Sequence, residues 1–360
     1  MPNPESKLLI NLSFLISQPT GLAIYAKNLF PHLKSLNPTL LTAEKFPNSN
    51  CYQIPANLTP EQGTKGHINR LLWTQTQIPQ IYKQLKSNLL FSPIPEAPLF
   101  TNCRYIITVH DLIALRFPRR FDPLTPYHKY YIPQVLRQAQ HVICDSESTA
   151  KDIADFCNIP SSSITPIFPG YDANFFRFLD LPTSNYFLYM GRHNPHKNVQ
   201  RVVAAFAALP NNSEYELWIT GSADKRYTPL LKAQVQELGL FDRIKFLDYL
   251  PATDLPEVIN RAIALVFPSL WEGFGLPVLE AMACGTPVIT SNLSSMPEVG
   301  GDGAWLVNPY NVAEIASAMH ELGTDSKVRS HLRALGLARA KLFSWEKTGG
   351  ETAAILDRYS

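Results

Sequence analysis

Short runs of aliphatic, β-branched and aromatic residues alternate with stretches of helical period along most of the chain. In the first half the apolar runs fall at Leu8–Leu15, Leu89–Phe91, Tyr105–Val109 and Val142–Cys144. Between them the 3.6-residue period predicts helices at Ala23–Leu33, Thr125–Ala139 and Ser148–Phe156. From Asn174 to Ser184 no period holds and Pro182 interrupts, so this segment, just after Phe168-Pro169-Gly170-Tyr171-Asp172, reads as a linker. The alternation then restarts more cleanly. Strands are predicted at Tyr186–Met190, Glu216–Thr220, Ile244–Leu247, Ala264–Pro268 and Val288–Thr290. Helices are predicted at Val199–Leu209, Leu230–Leu238, Leu255–Arg261 and Pro277–Ala283, with two more beginning at Ala313 and near Lys327. The implied class is α/β, with two doubly wound, Rossmann-like domains in series facing one another across a cleft. Ligands in such sheets bind beyond the carboxyl ends of the strands, so the strand-to-helix loops are where chemistry is expected.

Composition narrows the function. A length of 360 residues suits two domains, and 45% hydrophobic with 17% charged residues describes a well-cored soluble chain. Lysine plus arginine minus aspartate plus glutamate is 32 − 30 = +2, which excludes a general nucleic-acid binder and leaves room for a specific anion site. The thirty prolines point to stiff element boundaries. The five cysteines (Cys51, Cys103, Cys144, Cys157, Cys284) are odd in number and show no CxxC spacing. They argue against a disulfide scaffold or zinc ribbon and for a reducing cytoplasm. The apolar start Leu8–Ile16 is broken by Asn11 and Ser13 and falls short of a ~20-residue span. With Glu5 before it and no small-x-small cleavage pattern after it, it reads as a buried first strand rather than a secretory leader.

The most informative segment is Ser269-Leu270-Trp271-Glu272-Gly273-Phe274-Gly275-Leu276-Pro277-Val278-Leu279-Glu280-Ala281-Met282-Ala283-Cys284-Gly285, which follows an apolar strand. Pro277 suits a first helical position and Gly285 a left-handed C-terminal cap. Gly273 and Gly275 leave the loop bare for close approach of a ligand, and the helix start offers N–H groups to an anion. Glu272 lies in the loop and Glu280 is expected in the first helical turn. Either carboxylate alone would be ordinary. Together around this turn they are acceptors for vicinal hydroxyls, the chemistry of sugar or ribose recognition.

This pattern resembles family four of the retaining nucleotide-sugar glycosyltransferases, and within it the O-antigen-type mannosyltransferases. The resemblance implies an acceptor-side domain over 1–172, a donor-side domain over 173–343 and a last helix, 344–360, that crosses back to the N-terminal domain. It implies donor contacts from Gly273, Phe274, Gly275, Leu276 and Glu280. In Gly191-Arg192-His193-Asn194-Pro195-His196-Lys197-Asn198, Arg192 and Lys197 bracket a turn at a strand end, which suits a diphosphate. The family places an Arg and a Lys on the donor diphosphate at the matching positions. His193 and His196 have no carboxylate or cysteine near them in sequence, so no metal site is expected.

In Thr108-Val109-His110-Asp111-Leu112 the resemblance puts His110 beside the transferred sugar, while Asp111 either shapes the turn or meets the acceptor. In Thr20-Gly21-Leu22-Ala23-Ile24-Tyr25 only Gly21 matches the family's Gly-rich loop. Ala23 and Ile24 depart from its second Gly and Arg. Gly349-Gly350 inside the terminal helical pattern is expected to kink that helix.

The resulting expectation is a metal-independent hexosyltransferase with catalytic His110, Arg192, Lys197 and Glu272. Its donor would be GDP-mannose, or UDP-glucose as second choice, and its acceptor a glycan or a lipid-linked saccharide. It would be cytoplasmic, with peripheral contact at the inner membrane face compatible with it, and without nucleic-acid partners. A sugar-nucleotide epimerase and a non-catalytic sugar-nucleotide-binding protein are the alternatives. A dehydrogenase is disfavoured because no strand is followed by GxGxxG.

Overall fold

The computed structural model describes residues 7–16, 21–118, 125–210, 214–247 and 250–360, with the side chains of Pro60 and Ala252 left out. The chain divides into two units, one formed by Met1–Gly170 with Ser344–Ser360 and the other by Tyr171–Phe343. In the first, strands β1 (Leu8–Asn11), β2 (Thr39–Thr42), β3 (Asn50–Gln53), β4 (Leu89–Ser92), β5 (Tyr105–Val109), β6 (His141–Cys144) and β7 (Ile164–Pro166) build one sheet. Their order is β3-β2-β1-β4-β5-β6-β7. Every pairing is parallel. Helices α1 (Gly21–Leu29), α2 (Gly63–Thr76), α3 (Ile78–Gln84), α4 (Ile113–Arg116), α5 (Ile132–Gln138) and α6 (Glu147–Cys157) connect them.

Local chemistry sets these bounds. β1 stops at Asn11 because its side-chain oxygen accepts from the Ser13 amide at 3.2 Å, turning the chain before the apolar run ends. α1 gives way to a tighter 3₁₀ stretch, Phe30–Leu36, where Pro31 lacks an N–H. The helix expected over Thr125–Ala139 is split into a π-turn at Tyr127–Tyr131 and α5. Ser146 caps α6 by accepting from the Thr149 amide at 3.1 Å.

The terminal helix, α7 in the first unit's core but last in the chain, spans Trp345–Tyr359 and is capped by Ser344, which accepts from Lys347 N–H at 3.1 Å. It runs unbroken through both glycines, so the expected kink is not there. Gly349 is instead a contact residue: a Cβ added to it would lie 2.2 Å from His32 Cβ. Trp345, Ile355 and Leu356 join Leu8, Ile10 and Phe14 in one apolar cluster.

The second unit repeats the plan with β8 (Tyr186–Met190), β9 (Glu216–Thr220), β10 (Ile244–Leu247), β11 (Leu265–Phe267), β12 (Val288–Ser291) and β13 (Trp305–Val307). Their order is β10-β9-β8-β11-β12-β13, again parallel throughout. Its helices are α8 (Val199–Ala207), α9 (Thr228–Glu237), α10 (Leu255–Arg261), α11 (Leu276–Ala283), α12 (Met296–Gly300), α13 (Val312–Thr324) and α14 (Ser326–Ala340). Strand order reverses between β8 and β11. The crevice beyond their carboxyl ends is where an open sheet of this type takes its ligand.

Candidate active site

The two loops singled out in the second unit are the ones that flank this reversal. The loop after β8 carries Arg192 and Lys197, and the loop after β11 carries Glu272. The Leu270 amide donates to the His196 carbonyl at 2.7 Å, joining the loops directly. Asn198 adds a second tie. It is fully buried, sits at φ +63°, and its amide donates to Pro268 O at 2.9 Å and Pro309 O at 2.7 Å. One side chain thus holds the turns after β8, β11 and β13 in register.

The Glu272 loop is braced from the segment after β12. Ser294 Oγ donates to Glu272 O at 2.8 Å and accepts from the Glu272 amide at 3.1 Å. Ser295 Oγ contacts Glu272 O at 3.1 Å and Phe274 O at 2.7 Å. Gly275 at φ +116° caps α11, a conformation that L side chains rarely adopt. The far end of the helix closes with Gly285 at φ +72°: its amide donates to Met282 O and the Thr286 amide to Ala281 O, at 3.0 and 2.9 Å. Phe274 is buried edge-on to Phe343, and Leu276 opens the helix. Pro277 takes the second helical position rather than the first.

Lys197 and Glu272 meet each other. Lys197 Nζ lies 2.7 Å from both Glu272 carboxylate oxygens, with Glu272 buried and Lys197 half-buried. Arg192 is exposed, and no partner of its guanidinium is found among the described residues. Glu280 departs from expectation. It is the fifth residue of α11, beyond the first turn, because the helix begins at Leu276. Its half-buried carboxylate has no hydrogen-bond or ion-pair partner among the described residues, and desolvation pushes its pKa up to about 7.

In the first unit His110 follows β5, half-buried. Its Nδ1 lies 2.7 Å from Asp145 Oδ2, just past β6, and its Nε2 lies 2.9 Å from Pro93 O, just past β4. Asp111 Oδ1 accepts from the Ile113 amide at 2.9 Å, which is the turn-shaping role. Gly21 is exposed at the start of α1, with nothing within 4 Å of an added Cβ; Thr20 before it lies outside the described residues. His193 Nδ1 is bonded to Thr228 Oγ1 at 2.8 Å. Among the described residues no three His, Cys, Asp or Glu side chains group as metal ligands would.

Family models for "Glycosyl transferases group 1" and "Glycosyltransferase Family 4" match residues 172–336 and 19–175. O-antigen chain mannosyltransferase B of Escherichia coli is 31% identical over 263 residues, covering 69% of each chain. The chain is a member of glycosyltransferase family four. O-antigen chain mannosyltransferase RfbU of Salmonella typhimurium is 32% identical over 62% of each chain. The serotype-specific mannosyltransferase WbdA of E. coli is 28% identical over 71% of this chain but only 33% of its own length. Among solved structures, sucrose-phosphate synthase from Thermosynechococcus elongatus superposes with a TM-score of 0.77 at 20% identity, covering 98% of each chain. Anabaena HepE in complex with UDP and glucose superposes at 0.75 and 18%, covering 98% of this chain and 99% of its own. These fix the glycosyltransferase's fold as the GT-B pair of Rossmann-like domains.

Four residues that brace the candidate side chains within their own units went unread in the sequence: Asn198, Ser294 and Ser295 in the second unit and Asp145 in the first. Asn198 had one signal, its place right after Lys197 at a helix start. The serines had none, since they act through a loop twenty-two residues away. Asp145 is hidden in the run Cys144-Asp145-Ser146, where a strand end and a helix cap coincide.

Proposed function

We propose that this glycosyltransferase moves a hexose from a nucleoside-diphosphate sugar to a glycan or lipid-linked acceptor, with retention of anomeric configuration. The reading rests on one observation: Lys197 and Glu272 pair across the two loops flanking the strand-order reversal, Arg192 lies on the first of these loops, and the second leads into the helix that carries Glu280. Arg192, Lys197 and the N–H groups opening α11 take the charge of the departing diphosphate, usually the largest catalytic contribution. Glu280 accepts from the ribose hydroxyls. Glu272 accepts from hydroxyls of the transferred ring once the diphosphate draws Lys197 away from it. The Gly273–Leu276 backbone lines the donor, Gly21 its diphosphate, and His110 the ring being transferred. Asp111, with one oxygen already on the Ile113 amide, has its other oxygen for the acceptor.

In the transfer step the acceptor oxygen bonds to the anomeric carbon on the face from which the phosphate oxygen leaves. The electron pair of the broken C–O bond goes to that phosphate oxygen, and the acceptor's proton follows it there. GDP-mannose is the first choice of donor, supported by the O-antigen mannosyltransferase relatives. UDP-glucose is the second, supported by the ligands named for HepE. A cytoplasmic setting with peripheral contact at the membrane fits a lipid-linked acceptor, and no described helix is long and apolar enough to cross a bilayer.

A thermal-shift panel of nucleotide sugars tests the donor. The true donor at 100 times its Kd should add about 2.7 kcal/mol of stability. Transfer should then yield the donor's own anomeric configuration by NMR. It should survive EDTA, because two cations and a helix start neutralise the diphosphate. Loss with EDTA and recovery with Mg²⁺ would overturn the charge assignment. Isomerised nucleotide sugar without an acceptor would point to an epimerase.

A further inference from the structure

His110 bridges three neighbouring strand ends, and the way it does so limits what it can be. Pro93 O can only accept, so His110 Nε2 carries a proton and donates it at 2.9 Å. The 2.7 Å contact from Nδ1 to Asp145 Oδ2 holds one further proton between nitrogen and carboxylate. Wherever that second proton sits, neither ring nitrogen has an open lone pair. His110 in this arrangement is a donor, not a base.

The groups around the pair reinforce it. From α1, the Tyr25 ring meets His110 edge-on at 4.6 Å between centroids. The same tyrosine meets Trp345 of the terminal helix at 5.6 Å, so its ring is fixed from both sides. Burial, and then the nearby Asp145 charge, hold its phenol well above the ordinary range, so it stays protonated. Asp111, exposed beside His110, is the remaining carboxylate that faces it. Asp145 itself is buried, its other oxygen having no partner among the described residues. Among the described residues its side-chain partner is the imidazole. Burial alone would push the His110 pKa down, but the Asp145 charge, its hydrogen bond and the Pro93 carbonyl together raise it.

We propose that Asp145 is a positioning residue for transfer: it holds His110 protonated and oriented, so that Nε2–H, which donates to Pro93 O here, exchanges that acceptor for a sugar oxygen when the donor binds. Asp145 touches no substrate. It acts by setting the tautomer and the pH range of His110, as a carboxylate does when it pairs with the inner nitrogen of a working histidine. This rests on the transferase reading for its effect on rate, but not for the state of the imidazole.

The experiment therefore has two arms. ¹⁵N-histidine-labelled protein is titrated by NMR, with His110 identified by the signal lost in His110→Gln. Its nitrogens should keep protonated-type shifts above the ordinary midpoint of about 6.5. In Asp145→Asn the midpoint should fall, because the Asp145 charge and hydrogen bond that raise it are gone. In the second arm, kcat/KM is followed against pH with GDP-mannose as donor probe and a mannose-terminated oligosaccharide as acceptor. The alkaline limb should move down with the NMR midpoint in Asp145→Asn, while activity near pH 5.5 stays within about threefold of wild type. Asp145→Glu should restore part of the alkaline range. A His110 midpoint equal in both proteins, or an alkaline limb that stays put while Tm falls, would reduce Asp145 to a structural residue. If Asp145→Asn does not fold, a wild-type His110 that titrates at or below 6.5 overturns the proposal. If GDP-mannose gives no transfer, the donor reading fails while the NMR arm still decides the state of His110.

Discussion

Glu272 and Glu280 come from one motif yet sit in opposite electrostatic settings, which separates what their loss should do. Glu280 has no hydrogen-bond or ion-pair partner among the described residues, and its pKa is raised from 4.5 to about 7 by desolvation. Ionising it in the folded state is therefore unfavourable: the stability it confers is complete below about pH 4.5 and is lost as pH rises through 7. Glu280→Gln never ionises. Its stability should match wild type near pH 4 and exceed it at pH 8 to 9 by on the order of 1 kcal/mol, after allowance for the carboxylate's partial exposure, and its Tm should follow. A Tm difference independent of pH would show that Glu280 ionises as freely folded as unfolded. Ribose hydroxyls are remote from bond breaking, so the same variant should raise donor KM with little effect on kcat. Glu272 is buried against Lys197, and Glu272→Gln leaves that ammonium without its counter-charge. Here Tm should fall, and kcat should fall by about 10²-fold, the scale of one lost electrostatic contact at a developing cation. Equal kcat losses in two folded variants would end this division of labour.

At the scale of elements, two adjacent glycines in the terminal helix give opposite expectations. Gly349 faces His32, where an added Cβ would come within 2.2 Å of another Cβ, whereas Gly350 is exposed with nothing within 4 Å. Gly349→Ala should cost about 1–3 kcal/mol through overpacking. Gly350→Ala should stabilise by about 0.5–1 kcal/mol, because alanine loses less backbone entropy in a helix. Chemical denaturation of the two single variants measures both, and a shared sign would mean that the helix does not pack at Gly349 as described. The expectation of a kink here failed for a reason sequence pattern cannot supply: a glycine pair signals weakness within a helix or closeness to another, and only the neighbour decides which. The same limit explains the elements that went unread. β3, Asn-Cys-Tyr-Gln, is a partly exposed strand at the sheet edge and needs no apolar run. α2 carries two glycines and a polar face, so its period is faint. By contrast β8 and α10 lie where the pattern put them, because a fully buried strand and an amphipathic helix must write their burial into the sequence. The site was legible to the same degree. Gly275, Gly285 and the two glutamates stand out because backbone geometry and charge demand those residue types. Asn198, Ser294 and Asp145 act through partners distant in sequence and leave no local mark.

For the molecule as a whole, the last seventeen residues belong to the core of the unit built by the first 170. The Thr348 hydroxyl donates to Phe168 O at 2.7 Å, Tyr359 reaches His141 at 3.3 Å, and a Cβ on Gly170 would fall 2.1 Å from the Trp345 amide nitrogen. Trp345, Ile355 and Leu356 are buried, and each such side chain stabilises by about 1.5–3 kcal/mol. Together they are worth roughly 5–9 kcal/mol, against about 5–15 kcal/mol for a whole domain. Deletion of residues 344–360 should therefore unfold the first unit, while the second, whose core lies within Tyr171–Phe343, keeps its own contacts. Scanning calorimetry of the full chain and of 1–343 would resolve this. The shortened chain should retain one cooperative transition and lose the other. Exposed apolar surface from the unfolded unit should also increase dye binding at room temperature. If both transitions persist in 1–343 with Tm values within a few degrees of the full chain, the terminal helix is an ornament on the first unit rather than part of its core. The Trp345–Tyr25–His110 contact would then lose its anchor, and Tyr25 would have to be held by α1 alone.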